Sequence, residues 1–260
     1  MRNFNRIIRP VAVLLSMSAC LLATAADWSV TEVQLQHGDL KQAFINENRS
    51  TTILTLQHAS GWTYGDNFFF FDHLNYSAEA GGDGDELYGE WYSNFSLGKI
   101  TGRDIGFGLV RDIGMIAGFN FAPEVDTLYY LPGVRFALNL PGFAFANLDI
   151  TAYIQETDLL PKEDDSFMVD FNWAYPFRVG NAGFSIEGHV EYIEGADNDA
   201  GGKRESWVLA QPQVRYDIGE SLLDRPETLY IGIEYQYWQN KLGDGNTDES
   251  TVQALAVWRF

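Results

Sequence analysis

From residue 29 to the last residue, apolar and polar positions alternate with a period of two, and helical periodicity is scarce. Leu229, Ile231, Ile233, Tyr235 and Tyr237 are interleaved with Gly232, Glu234 and Gln236. Phe184, Ile186, Val190 and Tyr192 alternate with Ser185, Glu187, His189 and Glu191. Phe167, Val169, Phe171, Trp173, Tyr175 and Phe177 enclose Asp170 and Asn172, and Val208, Ala210, Val214 and Tyr216 oppose Trp207, Gln211, Gln213 and Arg215. Successive side chains of a strand point to opposite faces, so each segment carries one apolar and one polar face. The pattern predicts twelve strands, at 29–37, 50–58, 66–75, 86–97, 110–121, 127–140, 144–156, 165–177, 183–194, 205–217, 228–240 and 251–260.

Each segment runs about ten residues with aromatics toward its ends, the dyad pattern of a barrel that is apolar toward lipid and polar inside. A soluble β-sandwich also alternates, but its outer face is rich in lysine, which is rare here. The expected fold is all-β: a transmembrane antiparallel up-and-down β-barrel of twelve strands. Its connections alternate between short or non-acidic ones (140–143, 178–183, 98–109) and acidic ones such as "ETDLLPKEDD", "EGADNDAGGKRE" and "NKLGDGNTDES". Tight periplasmic turns and longer outer loops then make both termini periplasmic. Pro132 and Pro212 fall inside expected strands, where a missing N–H predicts a bulge or bend.

Composition sharpens the picture. The 260 residues carry 36 acidic and 17 basic side chains, a formal charge of -19, and 15% aromatics. That aromatic content excludes a disordered acidic chain, and the charge disfavours nucleic acid as a partner. Arg2, Arg6 and Arg9 precede an apolar run, Val11 to Leu22, that is too short to span a bilayer. Ala23-Thr24-Ala25 follows as a small-x-small cleavage site, so residues 1–25 are expected to be a signal peptide and 26–260 a single barrel domain. Met17 and Leu21-Leu22 around the lone Cys20 fit a lipoprotein signal poorly. An exported barrel belongs in the outer membrane of a Gram-negative bacterium, with lipid and lipopolysaccharide around it.

The stretch "GDNFFFFDH" (65–73) sets the parity of the bore. An aspartate facing hydrocarbon is costly, so Asp66 and Asp72 should face inward, taking Phe68 and Phe70 with them. The opposite parity, with Phe69, Phe71 and His73 inward, stays open. Either way two rings line a polar channel just wide enough for a small solute. Purines and pyrimidines stack on such rings, and carboxylates and amides bind ribose hydroxyls. The inward polar set is acidic on balance, with Glu90, Asp170, Glu187, Glu191 and Glu234 against Arg135 and Arg215. Such a lumen repels phosphate and favours nucleosides over nucleotides. The candidate substrate-binding residues are Phe68, Phe70, Asp72, Glu90, Tyr92, Glu187, Trp207, Arg215, Glu234 and Trp238. In the plainer reading, Phe68 and Phe70 only pack near a constriction.

"GDNFFFFDHLNY" (65–76), "GEWYSNFSLGKITG" (89–102), "ALAVWRF" (254–260) and the twelve-strand spacing give the chain a resemblance to a known family. It resembles the Tsx-like nucleoside-specific outer-membrane channels, and within them the OmpK-type proteins. The resemblance implies a twelve-stranded barrel, passive passage of nucleosides, aromatics along the channel, and use of the outer loops by phage or bacteriocins. Glu90, Ser96 and Lys99 match the family's acid, serine and lysine leading into a periplasmic turn, and terminal Phe260 resembles the signature read by barrel-assembly machinery. Asn94 stands where enteric members carry an arginine, and inward tyrosines are fewer, departures that bear on nucleoside selectivity. The alternative function is a general small-solute porin, or a structural or receptor barrel without nucleoside selectivity.

Other chemistry is thin. His37, His58, His73 and His189 lie on different expected strands without metal-ligand spacing, so no metal and no cofactor is expected. Asp244, Asn246 and Asp248 resemble the start of a calcium loop but lack its glycine and flanking helices, and "GGDGDE" lacks the lysine of a phosphate cradle. Acidic outer loops can gather divalent cations that bridge lipopolysaccharide. Catalysis by a barrel lipase needs a Ser–His pair, and the inward serines Ser96 and Ser185 would face away from lipid, so no enzyme is expected.

Overall fold

The computed structural model describes residues 26–77 and 84–260, so the expected signal peptide and the first three residues of "GGDGDE" lie outside the described residues. Nine long strands follow in order: β1 (Trp28–Gln42), β2 (Glu47–Trp62), β3 (Gly65–Tyr76), β4 (Gly84–Ser96), β5 (Val110–Ala122), β6 (Thr127–Leu138), β7 (Phe145–Thr157), β8 (Ser166–Val179) and β9 (Ala182–Ile193). A two-residue pair, β10 (Ala196–Asp197) and β11 (Lys203–Arg204), forms a small hairpin in the next loop. The segments β12 (Trp207–Ala210) and β13 (Gln213–Asp217) together make the tenth barrel strand, and β14 (Leu229–Gln239) and β15 (Glu249–Arg259) complete it. Each strand pairs antiparallel with its neighbours, and β15 returns to β1 from Glu32↔Arg259 to His37↔Ala254. The result is a closed barrel of twelve strands, as the alternation predicts.

Closure puts the outward set in one band. Leu35, Leu54, Leu56, Met115, Ile150, Ile231, Ile233 and Val252 are all exposed on it. An apolar surface that encircles the molecule has no aqueous solution, whereas lipid satisfies it. Aromatic stacking threads the band. Phe69 lies parallel to Trp91 at 4.9 Å and to His58 at 5.2 Å, and Phe71 meets Phe121 at 5.8 Å. Phe177, Phe184 and Tyr216 stack in series nearer the chain termini.

The connections alternate in kind. At the end that holds the termini, β8 and β9 are joined by Gly180-Asn181, with Gly180 at φ +61°, a left-handed turn residue. On the same end a short helix, α1 (Leu97–Thr101), follows β4. The Ser96 hydroxyl caps it by accepting from the Lys99 amide at 3.0 Å, while Lys99 Nζ donates to the carbonyls of Trp62 and Gly65 at 3.0 and 2.8 Å. Ser96 and Lys99 therefore clamp the β4–β5 connection to the β2–β3 turn. The acidic connections fall on the opposite end. There Asp244 accepts from Thr247 Oγ1 (2.6 Å) and the Asn246 amide (3.0 Å) within its own loop and from the Phe44 amide (2.9 Å) of the β1–β2 loop, tying the two loops together.

Neither proline makes a bulge, although the pairing is interrupted at both. Pro132 pairs with Ala117 and produces no shift in register on either side. Around Pro212 the ladder is interrupted, yet Ala210↔Val190 resumes as Gln213↔Glu187 in step, and Ala210↔Tyr237 resumes as Gln213↔Glu234. No bulge forms because Gly188 sits opposite with φ +145°, letting its backbone approach the Gln211 carbonyl where a side chain would not fit. The register shift that does occur lies between Val110 and Asp112. Gly188→Ala is expected to destabilise the folded barrel by about 1–3 kcal/mol from backbone strain, with a clash added, read as a lower urea midpoint in lipid vesicles.

Candidate functional site

The interior face follows from the pairing. Thr55 opposes Asp72, Gln57 opposes Phe70, and Ala59 opposes Phe68, while buried Thr51, Ile53 and Thr55 fix which side of β2 is inward. Phe68 and Phe70 thus face the bore and Phe69 and Phe71 face outward. Across β4, Phe68 opposes Tyr92 and Phe70 opposes Glu90. All ten candidate residues lie on the inward face, in two groups and one outlier.

Phe68, Phe70, Glu90, Tyr92, Trp207 and Trp238 form the aromatic group. Phe68 and Phe70 stand 6.1 Å apart, half-buried, and Phe70 reaches Tyr88 at 6.0 Å. Tyr88 donates to Glu90 at 2.5 Å and Tyr92 to Asn120 at 3.2 Å. Tyr92, Trp207 and Trp238 belong to one buried cluster with Ile116, Leu131, Tyr153, Met168, Ile193 and Leu209. Toward the long loops, Tyr129 stacks on Tyr153 at 4.2 Å, Arg204 covers Trp207 at 4.6 Å, and Lys241 approaches Trp238 at 5.6 Å. The bore, expected to be a polar channel just wide enough for a small solute, is filled here by apolar side chains: Leu131 is 0% exposed and Met168 1%.

Glu187, Arg215 and Glu234 belong to a polar network nearer the termini. Arg215 bridges Glu32 on β1 and Glu187 on β9, each at 3.2 Å, and Arg259 also holds Glu32 at 2.7 Å. Glu234 accepts from Gln213 at 2.6 Å and Gln253 at 2.8 Å. Asp72 stands apart, accepting from Thr55 at 2.5 Å. A second guanidinium, Arg135, engages Asp149 with two hydrogen bonds (2.8 and 2.6 Å) and Asp66 with a third (2.9 Å), tying β6 to both β7 and β3.

Several interior residues escape the sequence reading. Tyr153 shares a face with Asp149 and Gln155 and could have been found by parity. Leu131, Ile116, Met168 and Ile193 break the alternation by being apolar and inward, and no periodic signal marks them. Among the described residues no histidine hydrogen-bonds a serine; Ser185 donates to Glu187 at 2.6 Å.

No family model and no curated protein matches the chain. Among solved structures, the KdgM porin is 9% identical over 89% of this chain and 99% of its own, with a TM-score of 0.48. An outer membrane channel from Pseudomonas putida F1 is 11% identical over 92% and 97%, with a TM-score of 0.46. Outer membrane phospholipase A from Escherichia coli is 12% identical over 91% and 98%, with a TM-score of 0.47. Function has to be argued from the bore itself.

Arg135 and Asp149 are 8% and 2% exposed, so removing Asp149 leaves the buried guanidinium with the single hydrogen bond to Asp66. Asp149→Ala is expected to cost about 3–5 kcal/mol of unfolding free energy in vesicles. Arg135→Met combined with Asp149→Leu should cost less than Asp149→Ala alone.

Proposed function

We propose that this barrel sits in the outer membrane of a Gram-negative bacterium as a passive channel selecting solutes with a flat ring, nucleosides foremost. The observation that carries the reading is the inward pair Phe68 and Phe70, flanked by Tyr88 and Tyr92 and by the carboxylates of Glu90 and Asp72. A base passing these rings gains stacking of roughly 1–3 kcal/mol, and its sugar hydroxyls meet acceptors beside them. Neighbouring carboxylates at Asp170, Glu191 and Glu234 disfavour a phosphate, separating nucleosides from nucleotides. The near-inaccessible walls at Trp207, Trp238 and Leu131 support selective passage over general diffusion, because a wide pore leaves its walls wet. Entry then requires the inward rings to turn aside for the solute.

On this reading the acidic loops form the outer rim. A recess of about 410 Å³ between the β7–β8 and β9–β12 loops is lined by Lys162, Glu163, Asp164, Asp165, Asn198 and Asp199; with Glu163 paired to Arg204, its three aspartates are the groups that would take divalent cations shared with lipopolysaccharide. The same rim is the surface that phage would meet, and the 75% exposure of Phe260 is compatible with its being read by barrel-assembly machinery.

Solute flux into liposomes tests the reading. Wild type should admit adenosine and thymidine faster than a sugar of similar size, and Phe68→Ala or Phe70→Ala should slow the nucleosides while sparing the sugar. Equal rates for nucleoside and sugar in wild type would instead indicate a general small-solute porin.

A further inference from the structure

We propose that Asp170, His189 and Glu191 form a site in the wall of the bore for one divalent transition-metal ion of the zinc class. The β8–β9 register sets Asp170 directly opposite Glu191, with His189 one inward position along β9. One donor atom from each of the three lies within 4.8 Å of the others. Asp170 and Glu191 are 8% and 6% exposed.

Hydrogen bonding decides which donors are free. His189 Nε2 lies 2.8 Å from Gln211 Oε1, and the Gln211 amide is oriented by donating its nitrogen to Gln236 Oε1 at 3.1 Å. An amide oxygen only accepts, so Nε2 carries a proton, and in the neutral ring Nδ1 then presents a lone pair. That lone pair faces Asp170 Oδ1 at 3.3 Å. Oδ1 is itself buried with no hydrogen-bond partner, while the other oxygen of Asp170 accepts from Asn172 at 2.6 Å. With the ring neutral, two acceptors face each other across a gap that either a metal ion or a second proton on His189 would bridge, and the metal is the reading proposed here. A tetrahedral ion with bonds of about 2.0–2.1 Å spaces its ligand atoms by about 3.3 Å.

The charge balance points the same way. Among the described residues, neither Asp170 nor Glu191 is within salt-bridge distance of a lysine or arginine, whereas Asp149 and Glu187 each have an arginine. Buried carboxylates are stable when paired or when they ligate a metal. Gln211 behind His189 and Asn172 behind Asp170 supply the outer partners that orient metal ligands. One imidazole and two carboxylates suit zinc over calcium or magnesium, and three protein ligands leave a position open toward the bore. The site departs from the expectation of no metal, because its residues come together only through strand pairing. The site does not require the channel to carry any particular solute, but when occupied it cancels the charge by which Asp170 and Glu191 oppose phosphate.

The test uses the full barrel, folded in detergent micelles, stripped with chelator and titrated with Zn²⁺ in a calorimeter. One Zn²⁺ per barrel is expected, with affinity falling at least ~10-fold in His189→Gln and in Glu191→Gln, each checked for folding by heat-modifiable gel migration. Co²⁺ should give visible absorption bands in wild type that His189→Gln removes. X-ray absorption of the zinc-loaded wild type, which needs no variant, should show an imidazole nitrogen at about 2.0–2.1 Å. Failure of folded wild type to bind Zn²⁺ stoichiometrically would overturn the proposal, leaving a proton on His189 as the bridging cation. Binding without an imidazole ligand, or unchanged in both variants, would overturn it too by placing the ion in the acidic loops.

Discussion

Hydrocarbon offers no hydrogen bonds, so every peptide group that crosses it must find its partner inside the protein. A single sheet meets that demand only by closing on itself, and the pairing of β15 with β1 is the closure. Once closed, a strand has a lipid side and an inner side, and its two-residue repeat becomes a strict sorting rule. Four consecutive phenylalanines are comfortable under that rule. Phe69 and Phe71 join the outer stack with Trp91, His58 and Phe121, and Phe68 and Phe70 enter the bore. Even the interruption at Pro212 obeys it, since Gly188 lets the chains approach without a slip that would turn Trp207 and Leu209 outward.

Inside, the governing cost is that of burying charge. Near the termini it is met by guanidinium groups that reach across several strands, Arg215 to Glu32 and Arg135 to Asp66, so the ion pairs also hold the wall in shape. Toward the long loops the bore is filled by tyrosine, tryptophan and aliphatic side chains, with Arg204 and Lys241 lying over the rings. Between these tiers sit carboxylates with no arginine or lysine beside them. On the function proposed above, that middle layer is where a solute hydroxyl or a cation would find acceptors already desolvated.

Most of the fold was legible because lipid enforces alternation so strictly. The strand set, the inward parity of Asp66 and Asp72, and the separation of acidic from short connections all follow from it. What escaped were features fixed by three-dimensional register. Leu131 and Met168 are inward yet apolar, so they look like lipid-facing residues to any periodic reading. The partners of Arg135 lie on β3 and β7, and the Asp170–His189 contact joins residues with no motif spacing. The candidate rings on β3 and β4 were visible as types, but the filling that narrows the space between them was not.

Nitroxide labels placed singly at residues 66 to 73, in the barrel folded into a lipid bilayer, test the central claim most directly. Collision rates with dissolved oxygen should rise and fall with a period of two, high at 67, 69, 71 and 73 and low at 66, 68, 70 and 72. The reversed phase, or no two-residue period, would contradict a closed barrel with Phe68 and Phe70 turned into its bore.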